Sequence, residues 1–266
     1  ALSNIAPGLL PESAMTQMSE DITDRGRILG LSEGWKKALK EAVEKTGWVQ
    51  IPPHDEATFE IMSKSRSYTS AHLRNSGTPK ASVTVSAPTD GATLPLMVAH
   101  ETYPGHLLQK AYHARSPSTA MKILGAAVSS EGWAHYAEMK INELGVADPK
   151  TLAVGMAQRG LLRSARLLAR TGVVSGKMDM NACIKLFKET VLLNPQAARR
   201  EAERIQWDHK TVDYALGRLA LEQMEKEFVG RGMGDAVAFR TKALPIMCAP
   251  LDMVAKRLGL KKPDVL

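Results

Sequence analysis

The chain has 266 residues, 44% of them hydrophobic, with 35 lysines and arginines against 28 aspartates and glutamates, for a formal charge of +7. That length and apolar share suffice for a sizeable buried core, and the sequence lacks the run of about 18 uncharged apolar residues that a membrane-spanning helix needs. Two cysteines, Cys183 and Cys248, are too few for a disulfide framework and read as buried thiols, while 5% aromatic residues are too sparse for a base-stacking surface and exclude nucleic acid as the expected partner.

The first thirty residues lack the basic start and apolar core of a leader, so the expectation is a cytoplasmic protein, with a trimmed exported precursor left open. Residues 1 to 20 carry Pro7, Gly8 and Pro11 with little periodicity and read as an arm. In LSEGWKKALKEAVEKTGW, Ser32 is a plausible cap, Trp35, Leu39, Ala42 and Val43 recur at helical spacing, and Thr46-Gly47 ends the run. WVQIPP and KASVTVSAP are short, β-branched and flanked by Pro or Gly, so each reads as a strand, the second alternating through Val83 and Val85. From residue 94 the pattern is helical over 94–114, 118–144, 149–171, 179–191, 195–228 and 234–258, with Gly and Pro at most junctions. The expected fold is mainly α with a small β-sheet. One domain over 1–266 is expected, comprising the arm (1–30), a helix with small strands (31–93) and a helical region (94–266).

Within RGLLRSARLLAR, Arg159, Arg163, Arg166 and Arg170 share one helical face opposite Leu161, Ala165 and Leu168. An amphipathic helix with a solvated or ion-paired face accounts for this pattern, and a wall for an anionic substrate is the alternative.

The chemistry concentrates in LPLMVAHETYPGHLLQ, residues 94 to 109. Thr93 can cap a helix whose first turn tolerates Pro95, and an apolar approach then leads to His100-Glu101. Imidazole is a common zinc ligand, and a carboxylate beside it can take a proton from water. In the H-E-x-x-H helix the histidines are four apart on one face, whereas His100 and His106 are six apart, about 240° round an ideal helix. Pro104 removes a backbone donor and clashes with the carbonyl of His100, and Gly105 permits an unusual backbone, so a kink can return His106 to His100. A capped, broken surface helix is the alternative reading.

In SSEGWAHYAEMKINELG, residues 129 to 145, Ser130 can cap a helix in which Glu131, His135, Glu138 and Asn142 form a polar face opposite Trp133, Ala137 and Ile141. A solvated stripe explains that face. It also suits a third ligand delivered by an antiparallel helix, with Glu131 and His135 as rivals.

HETYPGH and EGWAHYAE together resemble the signatures H-E-x-x-P-G-H and E-G-W-A-x-Y-x-E of the bacterial family called domain of unknown function 885, whose members look like zincin-type metallopeptidases. The likeness extends more weakly from about residue 35 to 255, the catalytic half of members about twice as long. The resemblance implies a zincin-like architecture with zinc held by His100, His106 and Glu131, and with Glu101 as general base. It implies Tyr214, in DYALG, as the donor to the tetrahedral oxyanion, although a half-buried helix tyrosine is an equal reading. KASVTVSAP would be an edge strand able to pair with an extended substrate.

The chain also departs from the family. Where D-T-G-x-H is common it has RTGVV, with Arg170 for the acid and Val174 for the histidine. Where R-Y-x-x-W-P-G-Q is common it has ERIQWDHK, with Glu203-Arg204 and Asp208-His209-Lys210 replacing the usual groups. The expected function is therefore a zinc-dependent hydrolase cleaving an amide or peptide bond in a small peptide or modified amino acid, with Arg170, Arg204, Lys210 and His135 as candidate substrate contacts. Metal-dependent lyase or isomerase chemistry on a small metabolite, and a non-catalytic binding protein, are the alternatives. The sequence does not fix the oligomeric state.

Overall fold

A computed structural model describes residues 21–53, 56–61, 72–75, 81–116, 118–119, 125–147 and 149–266. The expected arm over 1–20 lies outside them. The chain enters as β1 (Asp21–Ile22) and α1 (Arg25–Thr46). Asp24 caps α1 by accepting from the Arg27 amide at 2.6 Å, so the helix starts seven residues before Ser32. Ser32 is interior instead, its hydroxyl donating to the Ile28 carbonyl at 2.8 Å. The expected stop holds, because Gly47 adopts φ +63° and its N–H turns back to Val43 and Glu44.

The sheet comprises β2 (Ala57–Ile61), β3 (His72–Asn75) and β4 (Ala81–Val85) in the order β2-β4-β3. β2 runs parallel and β3 antiparallel to β4, with Phe59 and Leu73 both registered on Val83. β5 (Thr89–Asp90) pairs antiparallel with β1. KASVTVSAP is thus a central strand, not the edge on which a substrate could lie: its hydrogen-bonding groups are taken on both sides. WVQIPP is not a strand. The Tyr112 hydroxyl donates to the Gln50 carbonyl at 2.6 Å, and the Arg115 guanidinium donates to Pro53, so side chains rather than a ladder satisfy this proline-bearing segment.

Helices follow: α2 (Leu94–Glu101), α3 (His106–Ala114), α4 (Ala127–Met139), α5 (Pro149–Val174), α6 (Met180–Glu189), α7 (Pro195–Trp207), α8 (Asp213–Gly230), α9 (Ala236–Ala243) and α10 (Leu251–Arg257). The architecture is mainly α with a small sheet. The single helix expected over 195–228 is broken at Asp208, which leaves helical geometry, pairs with Arg204 and caps the 3-10 turn His209–Val212 through the Lys210 amide. The stretch expected over 234–258 is likewise divided, by the 3-10 turn Leu244–Ile246 and by Pro250.

The larger apolar core gathers α1, the sheet, α2 to α4 and the carboxy-terminal helices, including Leu39, Val83, Leu96, Trp133 and Phe228. A second cluster holds Ala165, Cys183, Phe187, Ala198 and Ile205 between α5, α6 and α7. Both cysteines are buried free thiols. α5 serves both clusters, with Leu152 in the first and Ala165 and Ala169 in the second. Its arginine face is turned inward: Arg163 is 5% exposed, whereas Leu168 is 59% exposed. The reason is charge, since Arg166 meets Glu201 of α7 in a two-pronged pair at 2.8 Å and Arg163 meets Glu138 of α4.

Candidate metal centre

Every residue of α2 is buried, and His100 and Glu101 arrive at its end with 4% and 5% exposure. Thr93 occupies the cap position, but its hydroxyl donates to the Asp90 carbonyl rather than to a helix amide. The helix then breaks over Thr102–Gly105, and the Gly105 amide turns back to the Ala99 carbonyl at 3.0 Å. A Cβ on Gly105 would lie 1.9 Å from the His100 carbonyl oxygen, so only glycine permits this approach. The Trp133 indole pins the break from α4 by donating to the Pro104 carbonyl at 2.9 Å. α3 therefore restarts at His106 with its ring 4.7 Å from that of His100, centroid to centroid.

α4 supplies the carboxylate. Glu131 Oε2 lies 3.3 Å from His100 Nε2 and 3.5 Å from His106 Nε2, and one donor atom from each of the three residues falls within 4.8 Å of the others. Burial works to raise the Glu131 carboxyl, but His100 and His106 hold it well below the usual carboxylate range. His135, one turn on, is not part of this group. It is 0% exposed, accepts from Arg163 Nη1 at 2.7 Å through Nδ1, and burial together with the Arg163 charge lowers it to about 3. It is a buried neutral imidazole, not a surface for substrate. The polar face of α4 is thus neither solvated nor capped at Ser130: the helix begins at Ala127 after Ala126, and Ser130 Oγ lies 3.4 Å from His106 Nδ1.

Glu101 Oε1 stands 3.9 Å from His100 Nε2, on the nitrogen that faces Glu131. Tyr214, at the start of α8, stacks near His100 with ring centroids 6.0 Å apart, and the Arg163 guanidinium lies 4.7 Å above its ring. Burial and the Glu131 charge push the phenol up to about 12, against the pull of Arg163. The structure thus brings together five expected residues: His100, Glu101, His106, Glu131 and Tyr214.

Two of the expected cationic contacts, Arg170 and Arg204, are engaged elsewhere. Arg170 Nη1 donates to the carbonyls of Ile205 and Gln206, tying α5 to the end of α7, and Arg204 Nε pairs with Asp208 Oδ2 at 2.8 Å. Lys210 is exposed on the 3-10 turn, where its amide bonds Asp208, and Val174 is 71% exposed. Arg204 and Asp208 of ERIQWDHK thus serve to break and cap a helix, and Glu203 pairs with Arg199.

Three neighbours of the site escaped the sequence reading as site residues. Glu138, 0% exposed, approaches His100 Nδ1 at 2.5 Å. Gln109 Oε1 lies 3.3 Å from His106 Nδ1, while its amide donates to the Met247 carbonyl at 3.1 Å. Lys110, one turn past His106, lies within the field of Glu101: partial burial lowers its ammonium and the Glu101 charge opposes that. Helical spacing from the histidines is the signal that could have found Gln109 and Lys110.

Two imidazoles and a carboxylate converging from a broken helix and its neighbour form a donor set of the kind that holds a divalent metal. The chain belongs to the family described as bacterial protein of unknown function (DUF885), whose model matches residues 36–258. No curated protein matches it. Among solved structures it is similar to one described as "the putative lipoprotein from Colwellia psychrerythraea", with 18% identity, a TM-score of 0.81, and coverage of 97% of this chain and 48% of that one. A second, described as "a putative lipoprotein of unknown function from Shewanella oneidensis", shares 18% identity at a TM-score of 0.77 over 94% of this chain and 48% of that one. The likeness concerns the fold, and the chain spans about half the length of both neighbours.

Proposed function

We propose that this chain is a zinc-dependent hydrolase of zincin-like type that cleaves an amide or peptide bond in a small peptide or modified amino acid. The observation that carries the reading is the convergence of His100 Nε2, His106 Nε2 and Glu131 Oε2, three protein donors of the types that leave a fourth position open on zinc. When bound there, zinc would acidify water and polarise a carbonyl. Glu101, on the same side of His100 as Glu131, is placed to accept the proton of the attacking water and to pass it to the leaving amine. Tyr214, a phenol that burial and Glu131 push further above its ordinary value, is the donor to the oxyanion. Lys110, one turn past His106, lies within the field of Glu101.

Zinc-loaded protein and its Glu101→Gln variant, assayed on a panel of N-acyl amino acids and short peptides, test this reading. The variant is expected to retain zinc and lose all hydrolysis. Unchanged turnover would remove Glu101 from its role. For the compartment, no helix among the described residues is long and apolar enough to cross a membrane. The names of the two structural neighbours support an exported, lipid-anchored setting over the cytoplasmic one expected from the sequence, and cell fractionation distinguishes the two.

A further inference from the structure

α4 grips both nitrogens of one imidazole. Glu131 and Glu138 are seven residues apart, two turns of helix, so they project from nearly the same face. Glu131 Oε2 lies 3.3 Å from His100 Nε2, and Glu138 Oε1 lies 2.5 Å from His100 Nδ1 on the other side of the ring. The two atoms are close, but the contact does not meet hydrogen-bond geometry, so His100 Nδ1 is a buried nitrogen whose near neighbour is a carboxylate oxygen.

A carboxylate with 0% exposure is costly unless its charge is met. Two guanidiniums from successive turns of α5 meet it. Arg159 donates from Nε to Glu138 Oε2 at 2.5 Å and from Nη2 to Oε1 at 3.0 Å, and Arg163 Nη1 reaches both oxygens at 2.5 and 2.6 Å. A carboxylate fixed this close favours a proton on the ring nitrogen that faces it. Among the described residues, His106 Nδ1 faces the neutral Gln109 and Ser130 instead, at 3.3 and 3.4 Å.

We infer that Glu138, clamped by Arg159 and Arg163, is a positioning residue for His100, keeping the proton on Nδ1 and aiming the Nε2 lone pair into the cluster with His106 and Glu131. The inference rests on the metal-centre reading for its use, but its geometry belongs to the protein alone. A carboxylate behind a ligating histidine fixes its tautomer and raises its basicity, and its loss typically weakens metal binding about 10- to 100-fold. The same clamp extends to Tyr214, since Arg163 lies over the tyrosine ring that stacks on His100.

Two measurements test this. In the wild-type protein labelled with 15N-histidine, long-range 1H–15N spectra assign the imidazole protons, and His100 is expected to carry a proton on Nδ1 both before and after zinc is added. A bare Nδ1 with the proton on Nε2 would overturn the inference, and this readout needs no variant to fold. In Glu138→Gln, zinc affinity from chelator competition is expected to fall about 10- to 100-fold, with Gln109→Leu losing less. A folded Glu138→Gln protein with wild-type zinc affinity would also overturn it. Wild-type protein that binds no zinc defeats the metal-centre reading instead, and the His100 proton then decides this inference by itself.

Discussion

Gly132 of α4 and Gly217 of α8 meet backbone to backbone: a Cβ on Gly132 would lie 2.5 Å from the Gly217 Cα, and one on Gly217 would lie 2.2 Å from the Val128 carbonyl oxygen. Gly132 directly follows Glu131 and Gly217 lies three residues after Tyr214, so this crossing brings the carboxylate and the phenol to the same end of the cluster. Backbone atoms cannot swing aside as a side-chain end can. Gly217→Ala is therefore expected to destabilise the fold by about 1–3 kcal/mol, read from the urea midpoint, and to weaken zinc binding by displacing α4.

Gly105→Ala should be more damaging to the site than to the fold. The added methyl would meet the His100 and Ala99 carbonyls, which are fixed in the last turn of α2. Relief requires the break to open and His106 to move off His100. The expected result is loss of zinc binding by calorimetry with helical content retained in far-ultraviolet circular dichroism.

How much of this was legible in the sequence depended on whether the determining contact is local. The Pro104-Gly105 break and the stop at Gly47 follow from backbone chemistry within a few residues, and both appear as expected. The cap of α1 does not, because Asp24 and Ser32 are both sound cap residues and the helix takes the earlier one. Alternation in KASVTVSAP announces a strand but not its neighbours, so its central place between β2 and β3 was invisible. The arginine face of α5 is ion-paired, one of the two forms its pattern allowed, but the pattern does not name the partners. Its partners, Glu138 and Glu201, lie on other helices, 25 and 35 residues away from the arginines they hold, and no periodicity on α5 encodes them.

Tyr214→Phe separates the oxyanion donor from a merely packed tyrosine. The ring keeps its stacking on His100 and its contact with Arg163, and only the hydroxyl is lost. On the substrate found for the wild type, kcat is expected to fall about 100-fold or more with zinc affinity unchanged. An unchanged kcat would assign Tyr214 to packing alone.

His135 makes stability depend on pH. It is lowered to about 3 in the folded chain, by burial and by Arg163, whereas an unfolded histidine titrates near 6.5. Between these values the unfolded chain binds a proton that the folded chain does not, so stability falls as pH drops from about 6.5 towards 3, at up to about 1.4 kcal/mol per pH unit for one proton. His113, lowered mainly by burial, adds in the same direction. Urea midpoints measured between pH 7 and 5 should show this slope, and His135→Asn should reduce it.

The central claim is a zinc centre built from α2, α3 and α4. Anomalous scattering at the zinc edge from a zinc-loaded crystal tests it most directly. The account predicts a single strong peak about 2.0–2.2 Å from His100 Nε2, His106 Nε2 and a Glu131 carboxylate oxygen. No peak there, or zinc bound by other side chains while these three remain unligated, would contradict it.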